Sequence, residues 1–149
     1  MKIRPARLED SPVIAGLGTQ LGYPMSPEQA ETRLRDLLGR EEHEVLVAEE
    51  DGSVIGWAHV AGMRQVVNDP FAELLALVVD ESVRSRSTDA ALVEAVEAWS
   101  ARNGFGTLRV RSNVIRERTH RFYDRLGFER TKSQVVFARP VRVDSETPR

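Results

Sequence analysis

Asn113-Val114-Ile115-Arg116-Glu117-Arg118-Thr119-His120-Arg121-Phe122-Tyr123-Asp124-Arg125-Leu126-Gly127-Phe128 is the stretch on which the fold of this chain turns. Ile115, Thr119, Phe122 and Leu126 recur at intervals of three and four, which predicts a helix over Val114–Leu126 with one apolar face. Asn113 stands where an N-cap side chain can accept a bond from a free first-turn amide. Gly127 stands where a helix stops, because glycine takes the left-handed conformation without cost. Upstream, Thr107–Arg111 reads as a short strand. Before it lies a helix over Thr88–Asn103, with Leu92, Val93, Val96 and Trp99 turned to the core and Asn103-Gly104 ending it. Ala72–Val79 is a nearly continuous apolar run, the pattern of a central strand buried on both faces. Downstream, Gln134–Ala138 predicts a last strand, and Asp144–Arg149 a loose end.

The N-terminal half follows the same logic. Ile3–Arg7 reads as a strand, and Pro5 places it at a sheet edge, because proline cannot donate to a ladder. Ser11 as N-cap and Pro12 at the first helical position open a helix carrying Val13, Ile14, Leu17 and Leu21, and Gly22-Tyr23-Pro24 breaks it. Ser26-Pro27-Glu28-Gln29 opens a second helix with a capping box, and Gly39 closes it. Val45–Ala48 and Val54–Val60 are strands joined around Asp51-Gly52, a strong hairpin signal. Gly62–Pro70 is the following loop. The order is strand, two helices, three strands, helix, strand, helix, strand. It predicts an α/β fold with a mixed central sheet flanked by helices. One domain is expected over residues 1–140, with a tail over 141–149.

Composition narrows the chemistry. The chain has 149 residues, 41% hydrophobic and 30% charged, within the range of a single soluble domain. It has no cysteine, which excludes disulfides, cysteine metal sites and a cysteine acyl-enzyme. His43, His59 and His120 show no metal-ligand spacing, so no metal is expected. No apolar run is long enough to cross a bilayer and the start lacks a signal-like stretch, so the expected location is the cytoplasm, away from membranes. The net charge of −2 gives no general attraction to nucleic acid, although Arg109, Arg111, Arg116, Arg118, Arg121, Arg125 and Arg130 crowd one stretch. Glu117, Asp124 and Glu129 are interspersed among them, the pattern of a solvated helix face; an anion site is the alternative.

Asn113, Phe122-Tyr123 and Leu126-Gly127-Phe128, with the order of elements along nearly the whole chain, closely resemble GCN5-related N-acetyltransferases. That resemblance implies an acyl-CoA N-acyltransferase fold and direct transfer of acetyl from acetyl-CoA to a primary amine of a small molecule or peptide. In that family acetyl-CoA lies between two splayed central strands, here Ala72–Val79 and Thr107–Arg111. Backbone groups near Leu77, Val78 and Val79 are then expected to hold the pantetheine arm. Arg84-Ser85-Arg86-Ser87-Thr88-Asp89 falls at the pyrophosphate loop, and Asn113 at a second contact to the cofactor arm. Related domains often pair, which leaves a homodimer open.

Tyr123 matches the family tyrosine that gives a proton to the departing thiolate. A phenol, with an ordinary pKa of about 10, suits that task. Glu73, near the start of the central strand, is the expected general base; an exposed strand-end glutamate has the same sequence signature. His59 shares a face with Trp57 by alternation and is a second basic group, or a packed structural histidine. Tyr23 is placed by the resemblance at the acceptor pocket. The loop departs from the family pattern of small residues: Ser87 and Asp89 stand where glycine or alanine is usual. Asp89 favours the helix by about 0.3–1 kcal/mol through the dipole but puts a negative charge where phosphates are expected. An alternative follows from that departure, an acetyltransferase-like binding module with impaired catalysis.

Overall fold

The computed structural model describes residues 1–83, 86–111 and 117–144, in two compact units, Met1–Arg111 and Ser112–Arg149. The sequence-predicted residues Arg84, Ser85 and Asn113 lie outside the described residues.

The first unit is built on a five-stranded sheet in the order β1-β2-β3-β4-β5. The strands are β1 (Lys2–Pro5), β2 (His43–Glu50), β3 (Ser53–Met63), β4 (Phe71–Val79) and β5 (Leu108–Val110). Neighbours from β1 to β4 run antiparallel, and β5 runs parallel to β4. The parallel step requires a crossover, which α3 (Arg86–Arg102) supplies. Pro5 ends the edge strand β1, opposite Leu46, as its missing N–H demands. Asp51 and Gly52 both have positive φ, 50° and 80°, the conformation that a tight two-residue hairpin needs between β2 and β3.

Helices cover both faces. α1 (Ser11–Gln20) and α2 (Pro27–Leu37) send Ile14, Leu17 and Leu34 into one core with Val45, Val47, Trp57 and Val78. α2 begins with the expected capping box: Gln29 N donates to Ser26 Oγ at 3.1 Å and Ser26 N to Gln29 Oε1 at 3.0 Å. Asp10, not Ser11, is the N-cap of α1, following a short 3-10 turn at Leu8–Asp10. There Arg4 and Asp10, both buried, pair through two bonds of 2.9 and 3.0 Å. The opposite face meets α3. A Cβ on Gly56 would touch Leu92 and the Val78 carbonyl, and one on Gly62 would run into the Phe105 ring, which stacks on Trp99.

The second unit has α4 (Glu117–Arg125), ended by Gly127 at φ 90°. The expected strand at Gln134–Ala138 is absent: residues 128–144 have no regular secondary structure, and Val135, Val136 and Phe137 are 77%, 80% and 90% exposed. Strand propensity expresses the fit of a side chain to a pleated, half-buried surface, and no described residue of this unit supplies a ladder for it.

Candidate active site

A break in pairing locates the site within the first unit. β5 pairs with β4 at Ala72, Glu73 and Leu74 only. From Leu75 to Val79 that edge of β4 has no strand partner among the described residues, while its other edge stays on β3 as far as Val79. At the parting point the β3–β4 register slips: His59 faces Ala76 and Val60 faces Leu74, so Leu75 is an extra residue, 44% exposed. Leu77, Val78 and Val79 lie along this stretch of β4. Val78 is fully buried beside Trp57, and Val79 abuts Gly56. What remains at the edge is main chain, able to bond an extended, amide-bearing ligand in place of a strand.

The cross-strand register gathers the chemistry. His43 faces Ala61, Ala61 faces Glu73, and Glu73 faces Arg109, all on one face of the sheet. That face also carries Val45 and His59, which are directly opposite, and it is the face under α1 and α2. Glu73 is 4% exposed, and its Oε1 accepts a bond of 3.0 Å from Nε of the exposed Arg111. It is thus a buried, paired carboxylate, contrary to the exposed strand-end alternative. Arg109 lies over the Phe71 ring at 4.0 Å. His43 Nδ1 is 3.0 Å from His59 Nε2, and burial together with His43 pushes His59 down to about 4. Leu75 and His43 had no assigned role in the sequence, and Arg111 was read only within the arginine cluster: a bulge and a cross-strand contact depend on register, which local patterns do not encode.

At the N-terminus of α3, Thr88 is buried, Ser87 is exposed and Arg86 opens the helix. Asp89 sits in the first turn, half-buried, and burial pushes its carboxyl up. The approach to this turn is braced by Asp80, whose Oδ1 accepts from Ser82 N and Oγ at 3.0 and 2.9 Å.

Tyr123 belongs to the second unit. Its ring meets Phe122 and Phe128 edge-on, at 5.2 and 5.5 Å between centroids, and its carbonyl accepts from Phe128 N at 3.1 Å. Tyr23, 45% exposed, lies between α1 and α2. Among the described residues no group of three or more His, Cys, Asp or Glu could hold a metal, and no helix is long and apolar enough to cross a membrane.

The site thus combines a parallel β4–β5 pair that parts at a bulge with a helix N-terminus following β4. The model of the acetyltransferase (GNAT) family matches residues 15–128. The chain belongs to that family. This GNAT chain is similar in structure to the apo aminoglycoside antibiotic 6'-N-acetyltransferase AAC(6')-IG from Acinetobacter haemolyticus. The TM-score is 0.83 at 19% identity, over 95% of this chain and 100% of that one. It is similar also to aminoglycoside N-acetyltransferase AAC(6')-Iy in complex with CoA, at TM-score 0.81 and 23% identity over 93% of each chain. A GNAT family acetyltransferase from Staphylococcus aureus subsp. aureus USA300_TCH1516 gives TM-score 0.76 and 18% identity over 92% of this chain and 97% of that one. At these identities the likeness shows a shared fold. No curated protein sequence matches the GNAT chain.

Proposed function

We propose that this protein is an N-acetyltransferase that moves acetyl from acetyl-CoA to the primary amine of a small molecule or peptide by direct transfer. The open edge of β4 beyond Leu74 carries this reading, within a chain of the GNAT family. Leu75 to Val79 offer main-chain groups to the pantetheine amides, and the N-terminus of α3 faces the task of holding phosphates. Acetyl-CoA supplies an activated thioester when bound. Glu73 draws the ammonium toward the bulge, and by the family resemblance is the base; Tyr123, again by resemblance, protonates the departing thiolate. The two aminoglycoside acetyltransferases among the structural relatives make amine-rich small molecules the first acceptors to try.

A second reading, a binding module with lost catalysis, is favoured by one observation, the half-buried Asp89 in the first turn of α3. Calorimetric titration with acetyl-CoA separates the two. A dissociation constant in the micromolar range for the unmodified protein, followed by turnover on an amine panel, supports the enzyme. Binding that emerges only in Asp89→Gly supports the module.

A further inference from the structure

Beside Glu73, the structure holds a proton-handling pair that the mechanism above does not use. The His43 and His59 rings are 5.3 Å apart between centroids and tilted by 34°, with Nδ1 of one 3.0 Å from Nε2 of the other. At that distance one nitrogen carries a hydrogen and the other accepts it, so the rings share a single proton across the contact. The contact uses one nitrogen of each ring. His59 Nδ1 and His43 Nε2 remain at its two ends, and among the described residues neither bonds another side chain.

The surroundings leave this pair to do the work. His59 faces Ala76, next to the Leu75 bulge, where the open edge begins. Glu73, on β4, is already bound to Arg111, and Arg109 lies over Phe71. α1, Ser11–Gln20, has no ionisable side chain. The charges of α2 include the exposed pair Glu31–Arg35 and Asp36, which binds Arg40 just beyond the helix end, while Glu42 is bound to Arg64.

We propose that His59 and His43, in place of the Arg111-bound Glu73, form the outlet for the proton released in acylation of the amine, a role that rests on the acetyl-transfer reading above and leaves Glu73 to attract the ammonium. An ammonium and a thioester give an amide, a thiol and one free proton. The nitrogen–carbon bond forms as the carbon–sulfur bond breaks; of the two protons the nitrogen sheds, one ends on sulfur and one must leave. His59 Nδ1 takes the leaving proton, its Nε2 proton passes to His43 Nδ1, and His43 Nε2 gives its own to water. Exchange with water between turnovers restores the starting tautomers.

The test is the pH profile of kcat for His43→Gln and His59→Gln, with acetyl-CoA affinity measured calorimetrically beside it. Loss of one general acid–base group costs about 10²-fold or more. The relay predicts a loss of about that size near neutral pH that closes as the pH rises and free amine and hydroxide take over. Affinity for acetyl-CoA should hold within about twofold, and added imidazole should restore His43→Ala. An equal loss at every pH, a loss confined to KM, or wild-type rates in both variants would overturn it. Nitrogen NMR of the imidazoles needs no turnover: opposite protonation of His59 Nε2 and His43 Nδ1 supports the shared bond, and independent titration of the two rings refutes it. A protein inert toward every amine but with the shared bond intact would instead remove the acetyl-transfer reading.

Discussion

In the proposed acetyl-CoA site, Asp89 in the first turn of α3 is the residue we expect to set cofactor affinity. A carboxylate about 4 Å from a phosphate costs roughly 1–4 kcal/mol at effective dielectrics between water and a protein surface, or about one to three decades. Asp89→Asn should tighten acetyl-CoA binding by that range, read by calorimetry. Since burial pushes this carboxyl up, the wild type should also bind more tightly as the pH falls through its titration, a trend that Asp89→Asn lacks. Asp10 presents the opposite case. Burial alone pushes its carboxyl up, but the bonds from Arg4 and the Arg7 amide outweigh it and hold it low. Removing one partner of a buried pair costs about 3–5 kcal/mol, so Asp10→Ala should be strongly destabilising in denaturant titration. Neither the charge of Asp89 nor its consequence needed a structure, because a helix N-terminus can be read from sequence. The Arg4–Asp10 pair is invisible there, since the five residues between them give no sign of the turn that joins them.

Elements were legible wherever a local rule governed them. Asp51-Gly52 set the hairpin, Ser26 and Gln29 the start of α2, and Gly127 the end of α4, each through the backbone geometry of a few neighbours. Elements that depend on a partner were not. Gln134–Ala138 has strand composition and no ladder among the described residues of its unit, and the Leu75 bulge exists only as a mismatch between β3 and β4. The same dependence makes β3 brittle at its glycines. At Gly56 an added methyl would lie 2.9 Å from the Val78 carbonyl, a backbone atom that cannot swing aside. Gly56→Ala should cost about 1–3 kcal/mol in unfolding experiments and loosen the open edge of β4 from behind. Cofactor affinity should fall with it, although position 56 is on the strand away from that edge.

Over the whole molecule, acid stability should show the histidine pair. The unfolded chain protonates a histidine near 6.5, whereas folded His59 holds out to about 4. Between these values the unfolded state binds the extra proton, so stability falls as the pH drops through the window and levels off below it. Asp10 adds a further loss at lower pH, as its depressed carboxyl is finally protonated. Thermal unfolding followed from pH 8 to pH 4 should decline from about 6.5 downward, and His59→Gln should flatten that decline. Fold class was legible at this scale because element order alone fixes the layers. The candidate site was legible only in part: that Glu73 and Leu77–Val79 belong to the central strand could be read from the apolar run, while the contacts between side chains distant in sequence could not.

The free border of β4 has an evolutionary corollary. Amide and carbonyl groups are identical in every amino acid, so a ligand gripped by them imposes almost no preference on the codons beneath. Selection there acts on shape and spares spelling. Saturation mutagenesis of Leu75 and Leu77 should return many tolerated replacements, in contrast to intolerance at Gly56 and Val78. Chains can drift until little but their architecture is common, and this chain shares its fold at TM-score 0.83 with a structure only 19% identical in sequence.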